Sequence, residues 1–389
     1  MTVYLDNAAS SCPKPAAVVE AVKDCLENFC ANPGRGAHKL AVAAARIIFQ
    51  ARAKAAGLLG VEDSANVIFT QNATDSLNIA LHGLLSPGDH VVTSVVEHNA
   101  VLRPLMVLAR GGVGVSFAGA DPAGRVDPEE VLALLGPNTR LVVLSQASNV
   151  SGAITPVAEV SAALNERGVP LLIDAAQSGG SLPLDIKALP ASIIALTGHK
   201  GLMGPQGIGL LYVPPDIELR SLRQGGTGTR SEEEQDALGR PDRYESGTLN
   251  TPGIAGLAAG IDFLEREGLE KIARHKAGLV ARLHAGLAGL DNVSVYGPKA
   301  GEPRAPLVAF NVGDMTAADV AARLDCEHDI ASRAGLHCAP GAHRVMGTLK
   351  RGAVRLSVGP FNSSADIDAA IEAVAGIASQ ADRKGRRAQ

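Results

Sequence analysis

Residues 193–209 read IIALTGHKGLMGPQGIG. The stretch opens as a short apolar strand, 193–196, and passes through Thr197-Gly198-His199-Lys200. Glycines and a proline then lead into a second buried strand, 208–213. A lysine at a strand-to-loop transition, flanked by glycines that let a ligand approach the backbone, is badly accounted for as a solvated charge. Burial and suitable neighbours lower a lysine's pKa and make it a nucleophile towards carbonyls. A lone lysine in a glycine-rich loop is more often structural, so its role depends on which groups converge on it.

On both sides of this stretch, β-rich runs at 67–70, 90–94, 114–119, 141–146 and 171–175 alternate with helix-length segments at 74–84, 99–109, 128–135 and 156–167. Most of these runs are apolar throughout, as strands covered on both faces are. The pattern predicts an α/β fold with a mainly parallel, seven-stranded sheet flanked by helices. Helices are also predicted at 16–29 and 37–59. The segment 221–247 is glycine-rich, charged and aperiodic, which predicts a long functional loop. Asn250-Thr251-Pro252 supplies a cap and an N-terminal proline for a helix to about 267, and a second spans 269–290. The rest predicts a smaller α+β unit, with strands at 293–296, 307–311 and 354–357 and helices at 317–324 and 365–378. The expected organisation is an arm (1–14) packing with the small domain, a large domain (15–255), a small C-terminal domain (256–380) and a basic tail (381–389).

Composition narrows the class. The chain has 389 residues, is 46% hydrophobic and carries a net charge of −4, which suits an enzyme and gives no basic surplus for nucleic acid. No signal-like N-terminus and no run of about 18 apolar residues occurs, so neither export nor membrane insertion is expected. The five cysteines form no CxxC pair, which argues against a disulfide framework or a zinc site and for a reducing cytoplasm.

In open α/β sheets, ligands collect beyond the carboxyl ends of the strands. Polar residues stand at those ends here: Gln71-Asn72-Ala73-Thr74-Asp75, Glu97-His98-Asn99, Ser148-Asn149-Val150-Ser151, Asp174-Ala175-Ala176-Gln177 and Lys200. Asp174 and Lys200 end consecutive strands. That pair points to pyridoxal 5′-phosphate, which needs a lysine for its aldehyde and a carboxylate for its ring nitrogen. The cofactor also needs a phosphate cradle, which the helix start at Ala73-Thr74 supplies, and a flat partner such as His98. Alone, Asp174 reads equally well as a helix cap and His98 as a capping histidine.

These residues carry a resemblance. The chain resembles the fold-type I, class V aminotransferase-type enzymes, and among them the cysteine desulfurases and selenocysteine lyases. The likeness runs from Tyr4-Leu5-Asp6-Asn7-Ala8-Ala9 to Arg355-Leu356-Ser357, through TQNATDSLN, EHNA, IDAAQSGG, TGHKGLMGPQGIG, YESGTLNTPGIAGL and RAGLHCAP. It implies that Lys200 is the Schiff-base lysine, that Asp174 pairs with the pyridinium nitrogen, that Gln177 lies near the phenolic oxygen and that His98 stacks on the ring. Ala73, Thr74, Thr197 and His199 would hold the phosphate. Gly226-Thr227 matches a loop that completes the phosphate site from a second subunit, which implies a homodimer with shared active sites. Arg355 would grip the substrate carboxylate, with Asn149 and Asn7 beside the substrate.

Cys338, in Arg333-Ala334-Gly335-Leu336-His337-Cys338-Ala339-Pro340, bears on the reaction. A free cysteine often packs as a small apolar residue. Here the glycine and proline punctuation predicts a loop, and Arg333, His337 and His343 are placed to stabilise a thiolate. The resemblance makes Cys338 the nucleophile that takes sulfur from L-cysteine as a persulfide and releases alanine, with Lys200 and His98 moving protons. Its short HCAP segment resembles the type II, Suf-like enzymes, so an acceptor protein or small thiol would have to come to it. Cys12, Cys25, Cys30 and Cys326 are expected to be structural. The alternatives are a selenocysteine lyase, another class V lyase or aminotransferase, and a non-catalytic scaffold.

Overall fold

The computed structural model describes residues 2–29, 31–33, 36, 38–226 and 239–387, with side chains to residue 381. An N-terminal arm containing β1 (Val3–Tyr4) leads into α1 (Ala16–Asn28) and α2 (Lys39–Leu59). The alternating region follows as β2 (Val67–Thr70), α3 (Ala73–Leu84), β3 (His90–Ser94), α4 (Asn99–Arg110) and β4 (Gly114–Ala118). It continues as α5 (Pro128–Ala133), β5 (Thr139–Ser145), α6 (Val157–Asn165), β6 (Leu171–Asp174), β7 (Ser192–Thr197) and β8 (Gly209–Tyr212). Two long helices, α7 (Thr251–Glu267) and α8 (Leu269–Ala288), lead to β9 (Val293–Tyr296), β10 (Leu307–Val312) and α9 (Ala317–His328). The chain ends with β11 (Ile330–Ala331), β12 (Arg333–Gly335), α10 (Pro340–Val345), β13 (Ala353–Ser357) and α11 (Ser364–Arg387).

The seven strands of the alternating region form one sheet in the order β2-β8-β7-β6-β5-β3-β4. Every pairing is parallel except those of β8, which is antiparallel to both neighbours. Their apolar character follows from the pleat. Val142 and Leu144 of β5 join one core with Ile173, Ile194 and Leu196, under α2, α6 and α7. Leu141 and Val143 join the opposite core with Leu172, Ile193 and Ala195, under α3 and α4. Successive residues thus meet different helices, and no alternation with polar residues survives. Because β7, β6, β5 and β3 run the same way, Thr197, Asp174, Ser145 and Ser94 end along one edge of the sheet.

The C-terminal unit is a four-stranded antiparallel sheet, β12-β13-β10-β9, packed on α8, α9 and α11. The arm belongs with it in space. β1 pairs in parallel with β11, Leu5 is fully buried in the same core, and the Ser357 amide donates to the Leu5 carbonyl at 2.7 Å. Among the described residues, no helix is long and apolar enough to cross a membrane.

Two local differences from the sequence reading have physical reasons. Residues 333–340, expected as a loop, contain β12 and the first residue of α10, with β11 just before them. These elements are too short for a periodic signal, and the two strands exist because β1 and β13 offer them edges to pair with. The last helix, expected to stop near 378, continues to Arg387 through a run of good helix formers. The tail's side chains beyond residue 381 lie outside the described residues, as do Cys30 and Thr227. Gly226 is described, and its carbonyl accepts the Gly247 amide at 2.9 Å.

Candidate active site

Lys200 sits in the turn after β7, and glycines explain how it comes to lie near Asp174. A Cβ on Gly201 would run into the carbonyl of Gly179, and one on Gly180 into the carbonyl of Gly201. The segment after Asp174 and the segment around Lys200 therefore nest backbone to backbone, which only glycine permits. The arm clamps them from outside. The His199 carbonyl accepts the Ser11 amide at 2.9 Å and Lys14 Nζ at 3.0 Å, and Gln177 Nε2 donates to the Ala8 carbonyl at 2.9 Å.

Beyond the strand ends lies a cavity of about 270 Å³, bounded by His98, Asn149, Asp174, Gln177, Thr197 and Lys200, with Ala73 and Thr74 at one end. Burial pushes the Lys200 amine down to about 8, against the pull of Asp174 and with Arg355 and Arg333 adding to it. Asp174 ends β6 and accepts the Ala176 amide on one oxygen at 2.9 Å. His98 caps α4, its Nδ1 accepting the Ala100 amide at 3.0 Å. In the neutral ring the proton therefore rests on Nε2. Burial lowers the His98 pKa, with Asp174 opposing and Lys200 assisting, so the neutral ring prevails. Beside it Glu97 is fully buried, accepting Ser94 Oγ at 2.6 Å and the Ser145 amide and hydroxyl at 2.9 and 2.6 Å. Burial raises its carboxyl to about 7 despite those donors.

The cavity's polar groups fit a phosphorylated aromatic cofactor. At the start of α3 the Asn72 side chain takes the Asp75 amide at 3.0 Å, and no hydrogen bond among the described residues uses the amides of Ala73 and Thr74. Thr197 Oγ1 and His199 Nδ1 are buried without a hydrogen-bonding partner among the described residues. Such atoms are costly to bury unpaired. An anion at the helix start, in reach of a hydroxyl and a ring nitrogen, suits them all. Asp174, Lys200 and His98 around the remaining space fit the ring's nitrogen, aldehyde and face.

Arg355, in the middle of β13, is 2% exposed. Its Nη2 donates to Asp6 Oδ1 and its Nη1 to the Asn149 carbonyl, both at 2.9 Å, while the buried Nε has no partner among the described residues. Arg333 Nε donates to the same carboxylate at 3.0 Å, so Asp6 is shared by two guanidiniums. Asn7 is spent on structure. Its Nδ2 donates to the Tyr4 and Ser357 carbonyls and to Asn362, and its Oδ1 accepts the Cys12 amide.

Cys338 is exposed, in the turn between β12 and α10. His337 and Cys338 have φ of 50° and 58°, two successive non-glycine residues in the left-handed region. That conformation costs about 1–2 kcal/mol per residue. Ties from the large sheet's edge hold it: Asn149 Nδ2 donates to the His337 carbonyl at 2.6 Å, and the Asn99 amide to the Cys338 carbonyl at 2.7 Å. The expected charge support for a thiolate is corrected here. Burial pushes His337 down to about 3 and His343 to about 4, so both rings are neutral, and of the three expected cations only Arg333 carries charge.

The structure thus gathers Lys200, Asp174, Gln177, His98, Ala73, Thr74, Thr197, His199 and Asn149 around one cavity, with Arg355 and Cys338 tied to it through Asn149. Sequence reasoning did not single out Asp6 or Glu97, or Lys276 of α8. Burial pushes Lys276 down to about 8, and it donates to Ser181 Oγ at 2.7 Å in a small pocket that also touches Lys200. Asp6 lay inside a quoted motif, but its partners are more than 300 residues away and leave no local spacing to read. Of the other cysteines, Cys25 is buried, while Cys12 and Cys326 are exposed.

Residues 3–370 match the class-V aminotransferase family model. A probable cysteine desulfurase of Methanothermobacter thermautotrophicus is 36% identical over 387 residues, spanning 96% of this chain and 95% of the relative. A cysteine desulfurase of Haloferax volcanii is 33% identical, spanning 96% and 88%. Among solved structures, the apo cysteine desulfurase of Thermococcus onnurineus superposes with a TM-score of 0.88 at 33% identity, covering 97% of this chain and 95% of that one. The cysteine desulfurase CsdA of Escherichia coli superposes with a TM-score of 0.86 at 30% identity, covering 96% and 94%.

Proposed function

The chain belongs to the class-V aminotransferase family, among its cysteine desulfurases, and from that premise we propose that it converts L-cysteine to L-alanine, passing the sulfur to Cys338 with pyridoxal 5′-phosphate as cofactor. The observation that carries the reading is the double use of Asn149. It lines the cavity that holds Lys200 and Asp174, and it fixes the peptide bearing an exposed Cys338.

The cofactor, when bound, supplies an electron sink for charge developing at the substrate's Cα. Ala73, Thr74, Thr197 and His199 would hold its phosphate, Thr227 of a second subunit would complete that cradle, Asp174 would face the ring nitrogen and His98 the ring, and Gln177 would face the phenolic oxygen. Lys200 takes the Cα proton on Nζ. With a pKa of about 8, roughly a tenth of the amine is neutral at pH 7. Arg355 meets the substrate carboxylate with its unpaired Nε, its plane fixed by Asp6 and Asn149. Asn7 serves by holding the arm in place rather than by touching substrate. The Cys338 thiolate attacks the substrate's sulfur. The Sγ–S bond forms as the S–Cβ bond breaks, and the electron pair leaves with the carbon skeleton, which is protonated and departs as alanine. A homodimer in the cytoplasm, discharging its persulfide to an acceptor protein or small thiol, completes the proposal.

The test is alanine and sulfide release from L-cysteine with a reductant, for wild type and Cys338→Ala side by side. Equimolar products from wild type and none from the variant are expected. A variant with full activity would overturn the role of Cys338, a wild type that releases no alanine would favour transamination, and a variant inactive on cysteine but active on selenocysteine would favour a selenocysteine lyase.

A further inference from the structure

The ring of His337 starts a hydrogen-bonded file that leads away from the cavity. Its Nε2 lies 3.4 Å from the Arg333 carbonyl, and its Nδ1 lies 3.3 Å from His343 Nε2. His343 Nδ1 in turn lies 2.7 Å from Thr348 Oγ1. The two rings are stacked, 14° from parallel. His343 is completely buried, and Thr348 nearly so.

The direction of the file is set at one end. A carbonyl only accepts, so His337 Nε2 carries the ring proton, and in the neutral ring Nδ1 is then an acceptor. It accepts from His343 Nε2–H, which leaves His343 Nδ1 to accept the Thr348 hydroxyl. Each neutral ring then has one tautomer, and the Thr348 hydroxyl keeps the His343 carbonyl, at 3.4 Å, as a longer second acceptor. Thr348 is anchored to the strand that carries Arg355: its amide donates to the His343 carbonyl and its carbonyl accepts the Gly352 amide, both at 2.8 Å.

No step of the proposed reaction uses His343 or Thr348. We propose that they are positioning residues for the Cys338 thiol: through the neutral His337 ring, the His337–His343–Thr348 file holds the left-handed 337–338 peptide from the small unit, opposite the ties made by Asn149 and Asn99. The inference rests on Cys338 being the sulfur acceptor. Removing the Thr348 hydroxyl frees His343 to adopt the other tautomer, which turns a donor away from His337 and loosens the thiol without altering the cavity that binds substrate.

The experiment compares Thr348→Val and Thr348→Ser with wild type, all loaded with cofactor. Thr348→Val is expected to lower kcat for alanine release from L-cysteine about 10- to 100-fold with KM within about twofold, and Thr348→Ser to restore it. Amide exchange across residues 336–339 should quicken about tenfold in the valine variant and return to the wild-type rate in the serine variant. In wild-type protein labelled with ¹⁵N-histidine, His337 and His343 should both show the Nε2–H tautomer. An unchanged kcat, a raised KM, a serine variant as poor as valine, or a Nδ1–H tautomer on either ring would overturn the proposal. Should wild type release no alanine, the desulfurase reading fails by itself, and the tautomers and exchange rates still decide whether the file holds the peptide.

Discussion

The two walls of the site are built on opposite plans. The Lys200 wall hangs from parallel strand ends and leaves polar atoms unanswered: Thr197 Oγ1, His199 Nδ1 and the first amides of α3. The Cys338 wall hangs from the small antiparallel sheet, and its turn carbonyls and both histidine rings are hydrogen-bonded, with Arg355 Nε of β13 left unpaired among the described residues. One wall is open at several polar atoms, while the other is closed on itself except at Arg355. The difference suits a division of labour in which chemistry at carbon needs a borrowed group and capture of sulfur needs a fixed thiol.

If the walls act separately, Lys200→Ala should abolish alanine release, by at least about 10³-fold, while leaving the alkylation rate of Cys338 unchanged. A Cys338 that reacted differently in that variant would break the comparison. Asp6 is where the arm joins the Cys338 wall, since its one carboxylate is shared by Arg355 and Arg333. Asp6→Asn leaves a buried guanidinium without its counter-charge and should cost about 3 kcal/mol in urea unfolding and raise KM for cysteine. A loss below about 1 kcal/mol, the range of exposed pairs, would show that the arm is not the joint. The smallest effect concerns the open wall alone. The Lys200 pKa is depressed from 10.5 to about 8, so the neutral amine gains about tenfold per pH unit below that value and saturates above it. The rate at which apoprotein combines with pyridoxal 5′-phosphate should follow that curve. A rate still climbing from pH 9 to 10 would mean that the amine is not depressed.

The large sheet and the open wall were legible in the sequence because both are local. Continuous apolar runs such as Ile193–Leu196 report burial on two faces, and Asp174 and Lys200 end strands that are neighbours both in sequence and in the sheet. The closed wall was not legible in the same way. β11, β12 and α10 are too short to show a period, and the two strands depend on edges supplied by β1 and β13. The histidines near Cys338 were expected to lend it charge, but residue type does not reveal that desolvation pushes both His337 and His343 towards the neutral form. Asn7 was read as a contact for substrate because it sits in a motif, and the sequence did not show that its amide donates to the Tyr4 and Ser357 carbonyls.

The arm has a consequence in time as well as in space. Leu5, Asp6 and Asn7 are synthesised well before Ser357, Arg355 and Arg333, to which they bond across separations of 327 to 352 residues. Contacts of such long range close slowly. The large sheet can form during synthesis, but the clamp on the His199 carbonyl and the plane of Arg355 wait for the final strand. The nascent chain therefore carries Lys200 before the arm and Arg355 can close the site around it.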